Sequence, residues 1–192
     1  MRILLTSLFV VILDQSAKLL VKGISVPIFN LYFNGIPLGD EKTLLDSFLY
    51  ITFVENPGIA FGIEFNNILR ITIVFFNIII ISGLIFFLLK KKELKFGIWF
   101  SFALILGGAV GNMIDRIFYG LVFNYAPVFL GRVVDYIRIK TFTFSFFGRN
   151  YDSLPTFNFA DLAISCGMIL LIISTNFFNE EKLKQNNIWI TK

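Results

Sequence analysis

The sequence contains no histidine, only one cysteine and few charged residues. Without histidine, the chain has neither a histidine base for a catalytic triad nor the imidazole ligands of the commonest zinc sites. A single cysteine, Cys166, excludes an intrachain disulfide, and because it lies in an apolar run we expect it to be buried as a small hydrophobic side chain. These absences leave the carboxylates as the main candidates for chemistry.

Hydrophobic residues dominate the composition. They make up 56% of the 192 residues, charged residues make up 16%, and the mean hydropathy is +0.78. A soluble domain of this size would have too little polar surface to cover so much apolar material, so the bilayer is the expected solvent. The net charge of +4 is modest and forms no basic stripe, so we expect no nucleic-acid partner.

Four stretches are long and apolar enough to cross a bilayer, which needs about 20 residues. They cover about 3–21, 68–89, 96–118 and 159–178. The first begins like a signal peptide, but no small-x-small cleavage pattern follows and it contains a charged pair, so we expect a retained helix. The sequence therefore predicts an all-α membrane protein with one domain over 1–192 and two long outer loops, 23–67 and 119–158.

Basic residues predict the orientation, because short cytoplasmic loops are enriched in lysine and arginine. They cluster before the first helix, between the second and third, and after the fourth. We therefore expect both termini in the cytoplasm and the two long loops outside. Four basic residues of the second long loop oppose this orientation, but long loops follow the rule poorly.

The long loops contain strand-like segments. Residues 48–54 and 59–65 are aromatic and β-branched and flank an Asn-Pro-Gly turn, which is typical of a hairpin or a small sheet. Residues 141–146 alternate hydroxyl and phenyl side chains, which predicts a strand with one apolar face resting on the membrane surface.

Two aspartates lie at the outward ends of neighbouring predicted helices. Asp161 begins the fourth helix three residues after Asn158, a spacing that also suits an ordinary helix cap. Asp135 lies among apolar residues in the loop that follows the third helix, where it is either a partly desolvated carboxyl or a strand residue pointing to water. Each residue alone has an ordinary structural explanation.

The pair is more informative than either member. Two close carboxyl groups in a poorly hydrated cleft do not both ionise easily, so one keeps a proton and serves as an acid while the other serves as a base. Such a pair hydrolyses a peptide with no cofactor and no metal ion. Asp135 and Asp161 are therefore the candidate catalytic residues.

Two predicted helices carry further polar groups at membrane depth, which are costly and often functional. In the third helix, Asn112, Asp115 and Arg116 share a face, either as an interface anchor or with Asp115 holding the helix end and Arg116 free for peptide carbonyls. In the first helix, Asp14 and Lys18 have the spacing of an ion pair, which either is structural or orients the two aspartates.

Two smaller features complete the set. Gly107 and Gly111 form a small-xxx-small face for close helix packing. Asn56 is either a simple turn residue or a hydrogen-bonding partner for an extended substrate backbone.

Taken together, the motifs resemble the lipoprotein signal peptidase family, also called signal peptidase II. Five segments match in order over about residues 3 to 178, namely L-D-Q-S-A-K (13–18), E-N-P-G-I-A-F-G (55–62), G-G-A-V-G-N-M-I-D-R (107–116), V-V-D-Y-I (133–137) and F-N-F-A-D (157–161). The pattern of four apolar helices matches as well. Each motif is short, but the ordered set is specific.

The resemblance implies four transmembrane helices with a small extracytoplasmic β-cradle in a bacterial inner membrane. It implies cleavage of diacylglyceryl-modified prolipoproteins before the lipidated cysteine, contact with membrane lipid, and inhibition by globomycin-like cyclic peptides. It also implies a role for each matched residue. The catalytic pair is Asp135 and Asp161. The residues that line the site or contact substrate are Asn56, Asn112, Arg116 and Asn158, and the supporting residues are Asp14, Lys18 and Asp115.

The sequence departs from the family pattern in the second long loop, where about 121–132 and 137–156 look like extra segments. They affect the expected rim of the cleft.

Two other functions fit the residues alone: a small proton-coupled carrier that uses intramembrane aspartates, and a structural subunit without chemistry. A carrier needs polar groups through the depth of the membrane, whereas the predicted second and fourth helices are apolar in their middles.

Overall fold

The structure is a computed structural model that describes residues 2–26, 30–58, 66–91, 94–146 and 149–188. Five α-helices, six strands and one π-helical turn occur in these ranges. In chain order they are α1 (Arg2–Lys22), β1 (Gly23–Val26), β2 (Leu31–Asn34), β3 (Glu41–Leu45), β4 (Leu49–Asn56), α2 (Asn67–Lys90), α3 (Phe96–Ile114), the π-helical turn (Asp115–Tyr119), α4 (Gly120–Val122), β5 (Val133–Phe146), β6 (Arg149–Ser153) and α5 (Phe159–Ile188).

Within the described residues, three helical segments are long and apolar enough to cross a membrane: Arg2–Lys22, Asn67–Lys90 and the continuous helix Phe96–Val122. Their surfaces expose many large apolar side chains, as helices in contact with lipid do. The apolar part of α5 is shorter, Phe159–Thr175. The helix itself continues to Ile188, beyond the predicted end near 178, because the polar residues that follow are compatible with a helix.

Helix α3 lies at the centre of the bundle and packs against α1, α2 and α5. Glycines permit its closest contacts: a Cβ on Gly107 would lie 2.7 Å from the Val10 side chain of α1, and one on Gly108 would lie 2.3 Å from the Ala160 carbonyl oxygen of α5. A Cβ on Gly111 would meet the Asp14 carboxylate at 2.6 Å. The small-residue face predicted from the sequence thus brings α1 and α5 against α3 near the polar end of the bundle.

The loops form two antiparallel sheets, so the mostly helical protein carries a small β region, as the strand-like segments of the loops and the expected β-cradle predict. Strands β1 and β2 form one sheet, and the other has the order β3-β4-β5-β6. The predicted strand at 48–54 is β4, whose partners are β3 and β5. The second half of the predicted hairpin, 59–65, lies outside the described residues.

The segments that look like insertions form parts of this sheet and its border. Residues 141–146 belong to β5, as their alternation predicts, and pair with β6; the side chains of the three phenylalanines there lie outside the described set, so the apolar face remains a prediction. The stretch after α4 returns through turns to Val133, and Arg70 of α2 holds it by donating to the carbonyl oxygens of Leu130 and Gly131 at 2.6 and 3.2 Å.

The predicted burial of Cys166 is wrong. Its side chain is exposed on α5. An apolar run in a membrane helix does not distinguish the side that packs on protein from the side that faces lipid, because both are apolar.

Candidate active site

The candidate site lies where the four-stranded sheet meets the ends of α3 and α5. Asp135 of β5 and Asp161 in the first turn of α5 line one open cavity of about 540 Å³. The same cavity is lined by Asn56 at the end of β4 and by Asn112 and Arg116 around the end of α3. Five of the nine residues singled out from the sequence therefore face one space.

A reciprocal helix cap holds Asp161 in place. The Asn158 side-chain oxygen accepts from the Asp161 backbone N–H at 2.9 Å, and the Asp161 Oδ2 accepts from the Asn158 backbone N–H at 3.2 Å. This is the arrangement of a capping box, which fixes the first turn of a helix. The cap interpretation of this pair is therefore correct, and it leaves the other oxygen, Oδ1, to accept from the Asn112 side-chain amide at 2.7 Å.

Asp135 is held by the sheet. It pairs with Val54 across β4 and β5 and is only 3% exposed, so it does not point to water as an ordinary strand carboxylate would. Its Oδ2 accepts from the Asn56 side-chain amide at 3.0 Å, and its Oδ1 accepts from the Asn158 side-chain amide at 2.7 Å. Neutral amides are therefore its direct partners.

Asn158 joins the two carboxyl groups. Its side chain donates to Asp135, while its backbone N–H donates to Asp161. Because this fully buried residue contacts both, the two aspartates flank it at the floor of one cavity. All four carboxyl oxygens accept an N–H, and each keeps a further lone pair for another partner.

The environment of Asp135 raises its proton affinity. Burial raises the pKa of the Asp135 carboxyl to about 7; the hydrogen bond from Asn56 opposes this shift, and the nearby charge of Asp161 adds to it. Near pH 7 the Asp135 carboxyl therefore carries its proton about half of the time, which suits a group that donates a proton to a substrate.

A buried charge cluster lies behind Asp161. Lys18 contacts the carboxylates of Asp14 at 2.7 Å and Asp115 at 2.8 Å, and all three side chains have 0% exposure. Lys18 also donates to the Asn112 side-chain oxygen at 2.9 Å. Because an ammonium group only donates, the Asn112 amide must present its nitrogen to Asp161. The Asp14–Lys18 pair therefore orients a direct partner of Asp161.

The same cluster ties the end of α3 to its neighbours. Asp115 opens the π-helical turn and accepts from the Val134 backbone N–H at 3.2 Å, next to Asp135. Asp14 accepts from the Ala160 backbone N–H at 3.0 Å, next to Asp161. Asp115 thus holds β5 and α1 against α3 rather than only its own helix end, and π-helical turns of this kind are frequent at functional sites.

Arg116 faces the cavity from the other side. Its guanidinium donates to the Gly58 carbonyl oxygen at 3.3 Å and, at 3.4 Å, to the Asn112 carbonyl oxygen. It therefore already binds a backbone carbonyl of the turn after β4, and its position at the cavity wall leaves it close to any peptide that enters.

The structure brings all nine predicted residues into one connected network, and it adds residues that the sequence did not single out. Gln15 donates to Asp115 at 2.9 Å and accepts from the Tyr119 hydroxyl at 3.0 Å. Gln15 could have been identified from the sequence, since it is an amide inside an apolar helix. Tyr119 could not, because a tyrosine near a membrane boundary is common.

No group of three potential metal ligands occurs among the described residues. Both aspartates accept hydrogen bonds from amide N–H groups. Such partners suit two carboxyl groups that exchange protons better than they suit a cation site.

Comparison with known proteins places this chain in a family. A family model described as signal peptidase (SPase) II matches residues 6–177. The lipoprotein signal peptidase of Chlorobium phaeobacteroides (strain BS1) is 32% identical over 174 residues, which cover 91% of this chain and 95% of that protein.

Two solved structures share the fold. One, described as a bacterial membrane enzyme determined by the in meso method at 2.3 Å, has a TM-score of 0.68 and 30% identity, and the match covers 94% of this chain and 91% of that one. The other, with the same description at 1.9 Å, has a TM-score of 0.63 and 30% identity over 91% and 92% of the two chains. A family match that spans nearly the whole sequence, a relative of similar length and a shared fold agree that this chain belongs to the signal peptidase II family.

Proposed function

We propose that this chain is an aspartic endopeptidase that removes signal peptides from diacylglyceryl-modified prolipoproteins, cutting before the lipidated cysteine. The observation that carries the proposal is that Asp135 and Asp161 line one cavity and share Asn158 as a hydrogen-bond donor. Family membership supports the peptidase activity and the class of substrate.

The proposed chemistry uses the two carboxyl groups in opposite protonation states. Ionised Asp161 takes a proton from a water molecule, whose oxygen attacks the scissile carbonyl carbon. Protonated Asp135 donates its proton to the carbonyl oxygen, which gives a neutral tetrahedral diol. Return of a proton from Asp161 to the leaving nitrogen and of a hydroxyl proton to Asp135 breaks the C–N bond and restores both carboxyl groups.

The cavity offers donors for an extended peptide. Arg116 lies at its wall, and the amide groups of Asn56 and Asn112 flank the two carboxyl groups. These groups hold the substrate backbone in place, which contributes to the rate by keeping the scissile bond next to the acid and the base.

An apolar groove supports the lipid requirement. It has a volume of about 280 Å³, reaches α5 one residue from Asp161, and is lined by side chains of α1, α3 and α5, namely Val10, Leu13, Leu104, Phe159, Leu162, Ala163 and Cys166. An acyl chain can lie in this groove without desolvating a polar group, because the lining is almost entirely apolar.

The proposed setting is a bacterial inner membrane with α1, α2, α3 and the apolar part of α5 as four spans. The sheets and the candidate site lie at one end of these helices. Arg2, Lys90 and Lys95 lie at the other end, which is the cytoplasmic end if basic residues remain inside. Both termini are then cytoplasmic and cleavage occurs at the outer face.

The carrier hypothesis gains no support from the charge distribution. Asp14, Lys18, Asp115 and Asp161 gather near the end of the bundle that carries the sheets, and they do not continue through it among the described residues. Membership of a peptidase family also speaks against it.

A gel-shift assay tests the proposal. Purified protein in lipid is incubated with a diacylglyceryl-modified prolipoprotein, with and without globomycin. We expect a smaller product that does not form in the presence of the inhibitor. In the Asp135→Asn and Asp161→Asn variants the rate of cleavage should fall by a factor of about 10⁴, as for loss of an essential acid or base. Asp40→Asn, at an exposed position, is the matched control. Processing by either site variant at the rate of the control would rule out the pair.

A further inference from the structure

A second buried ion pair lies on the Asp135 side of the site. The Lys22 ammonium, in the last residue of α1, contacts the Glu55 carboxylate of β4, and the two side chains are only 9% and 10% exposed. Arg132, just before β5, approaches the same carboxylate at 3.4 Å but is 45% exposed, so its contribution is small. Buried charges are costly, and a pair retained in such a place needs a reason beyond stability.

Three aromatic rings fix the Lys22 ammonium. It lies 4.4 Å from the centroid of Phe123, 5.1 Å from that of Tyr125 and 5.2 Å from that of Phe53. Phe53 belongs to β4, whereas Phe123 and Tyr125 belong to the segment that looks like an insertion in the family pattern. Cation–π contacts of this kind hold a lysine in one position. The extra segment therefore completes a cage around Lys22.

Glu55 precedes Asn56, whose amide donates to Asp135. Both residues lie at the end of β4 and line the cavity, where Glu55 is attached to α1 through Lys22 while Asn56 contacts the aspartate. Asn56 is the last residue of β4 and pairs with Val133 at the edge of the cavity. The attachment of Glu55 thus restrains the end of the strand that carries Asn56.

Helix α1 serves both halves of the site in this way. Asp14, Lys18 and Lys22 follow one another at four-residue intervals and share one face of the helix. Lys18 acts on Asp161 through Asn112. One turn later, Lys22 reaches the strand that carries Asn56, the partner of Asp135.

We propose that Lys22 and Glu55 are positioning residues, which hold the Asn56 amide against Asp135 through the end of β4. The inference rests on the proposed function, in which Asp135 is the proton donor. It assigns to Phe123 and Tyr125 the task of holding Lys22 in place for this contact.

The direction in which the pKa of Asp135 shifts when Glu55 is neutralised distinguishes a positioning role of Glu55 from a direct effect of its charge. Other charged groups near Asp135 are Asp161 on α5, Lys18 on α1 and Arg116 in the π-helical turn. Neutralising Glu55 removes a negative charge and frees a positive one, and both changes by themselves lower the pKa of Asp135. Loss of the Asn56 hydrogen bond raises this pKa instead. Only displacement of Asn56 predicts an upward shift.

The experiment measures the Asp135 titration by carbon-13 NMR of labelled aspartate, assigned with Asp135→Asn, together with turnover of the lipidated substrate. In Glu55→Gln we expect the titration to move to higher pH and kcat to fall about 10- to 100-fold, as for a misplaced catalytic partner. In an Asn56→Ala background, Glu55→Gln should change both the acid dissociation constant of Asp135 and the residual kcat less than twofold. Glu41→Gln, which breaks a surface ion pair on β3, is the control and should change neither.

A downward shift, no shift, or an equal loss of kcat in both backgrounds would overturn the proposal. Because Glu55→Gln leaves Lys22 without its partner, Lys22→Met/Glu55→Gln provides a neutral pair that suits the aromatic cage, with the same expected results. Failure of both variants to fold would make the pair a folding requirement and reject the positioning role. The titration needs no activity, so absence of cleavage by the wild type would count against the proposed function alone.

Discussion

At the scale of single residues, two chemically identical carboxyl groups lie in different environments. Asp161 accepts backbone and side-chain N–H groups at a helix start. Asp135 is buried in a sheet, and its pKa is raised to about 7, chiefly by loss of water. The two groups therefore suit opposite roles without a metal ion or a histidine.

This difference predicts a pH dependence. If Asp135 must be protonated to donate, then kcat/KM falls as the pH rises through about 7. The Asn56 hydrogen bond lowers this pKa, so Asn56→Ala should move the alkaline limb of the pH–rate profile to higher pH. Asn67→Ala, at an exposed position at the start of α2, should leave the limb in place. An alkaline limb that stays the same in Asn56→Ala would show that Asp135 is not the group being titrated.

At the scale of elements, the start of α5 combines a structural cap with the chemistry of the site. Asn158 closes the capping box with its side-chain oxygen and serves Asp135 and Asn112 with its side-chain nitrogen. One residue thus fixes the helix start, the orientation of Asp161 and a donor to Asp135. The two roles use different atoms, so a substitution can separate them.

We expect Asn158→Ser to retain the cap and lose the amide donor, whereas Asn158→Ala loses both. Serine caps helices about as well as asparagine, and loss of a cap costs about 0.5–2 kcal/mol. Both variants should therefore lose activity, but only Asn158→Ala should lose the stability of the cap. Thermal unfolding in lipid, measured beside the cleavage assay, checks this. Equal activity of the serine variant and the wild type would show that the amide donor is dispensable.

At the scale of the whole molecule, the proposed function requires the site to lie where a membrane-anchored peptide meets the aqueous side. The cavity opens beside the sheet, and the apolar groove between α1, α3 and α5 begins next to Asp161. Under the proposed function, a substrate that carries acyl chains would be held at this boundary, and part of its binding energy would position the scissile bond.

The lipid should therefore matter for turnover as well as for affinity. We expect a prolipoprotein without the diacylglyceryl group to show a kcat/KM about 100-fold lower, because the acyl chains anchor the scissile bond at the membrane boundary next to the two carboxyl groups. Matched peptides with and without the lipid, both reconstituted in nanodiscs, provide the measurement. Leu162→Trp, which narrows the groove, should reduce turnover of the lipidated peptide only. Equal turnover of the two peptides would point to a different specificity.

The sequence by itself predicted the helical bundle, the strands at 48–54 and 141–146 and the membership of the family. These are local properties: an apolar run, an alternation or a short motif is complete within a few residues, and its physical preference does not depend on the rest of the chain. The candidate residues were also visible, because charged and amide side chains are rare within apolar helices.

Only the tertiary structure decided which donor reaches which carboxyl group. Asp135 takes its hydrogen bonds from Asn56 and Asn158, residues that lie 79 and 23 positions away in the sequence. The Lys22–Glu55 pair and the exposure of Cys166 could not be predicted from the sequence either. Such contacts depend on the packing of helices and strands within a few ångströms, and no local pattern of side chains records that packing.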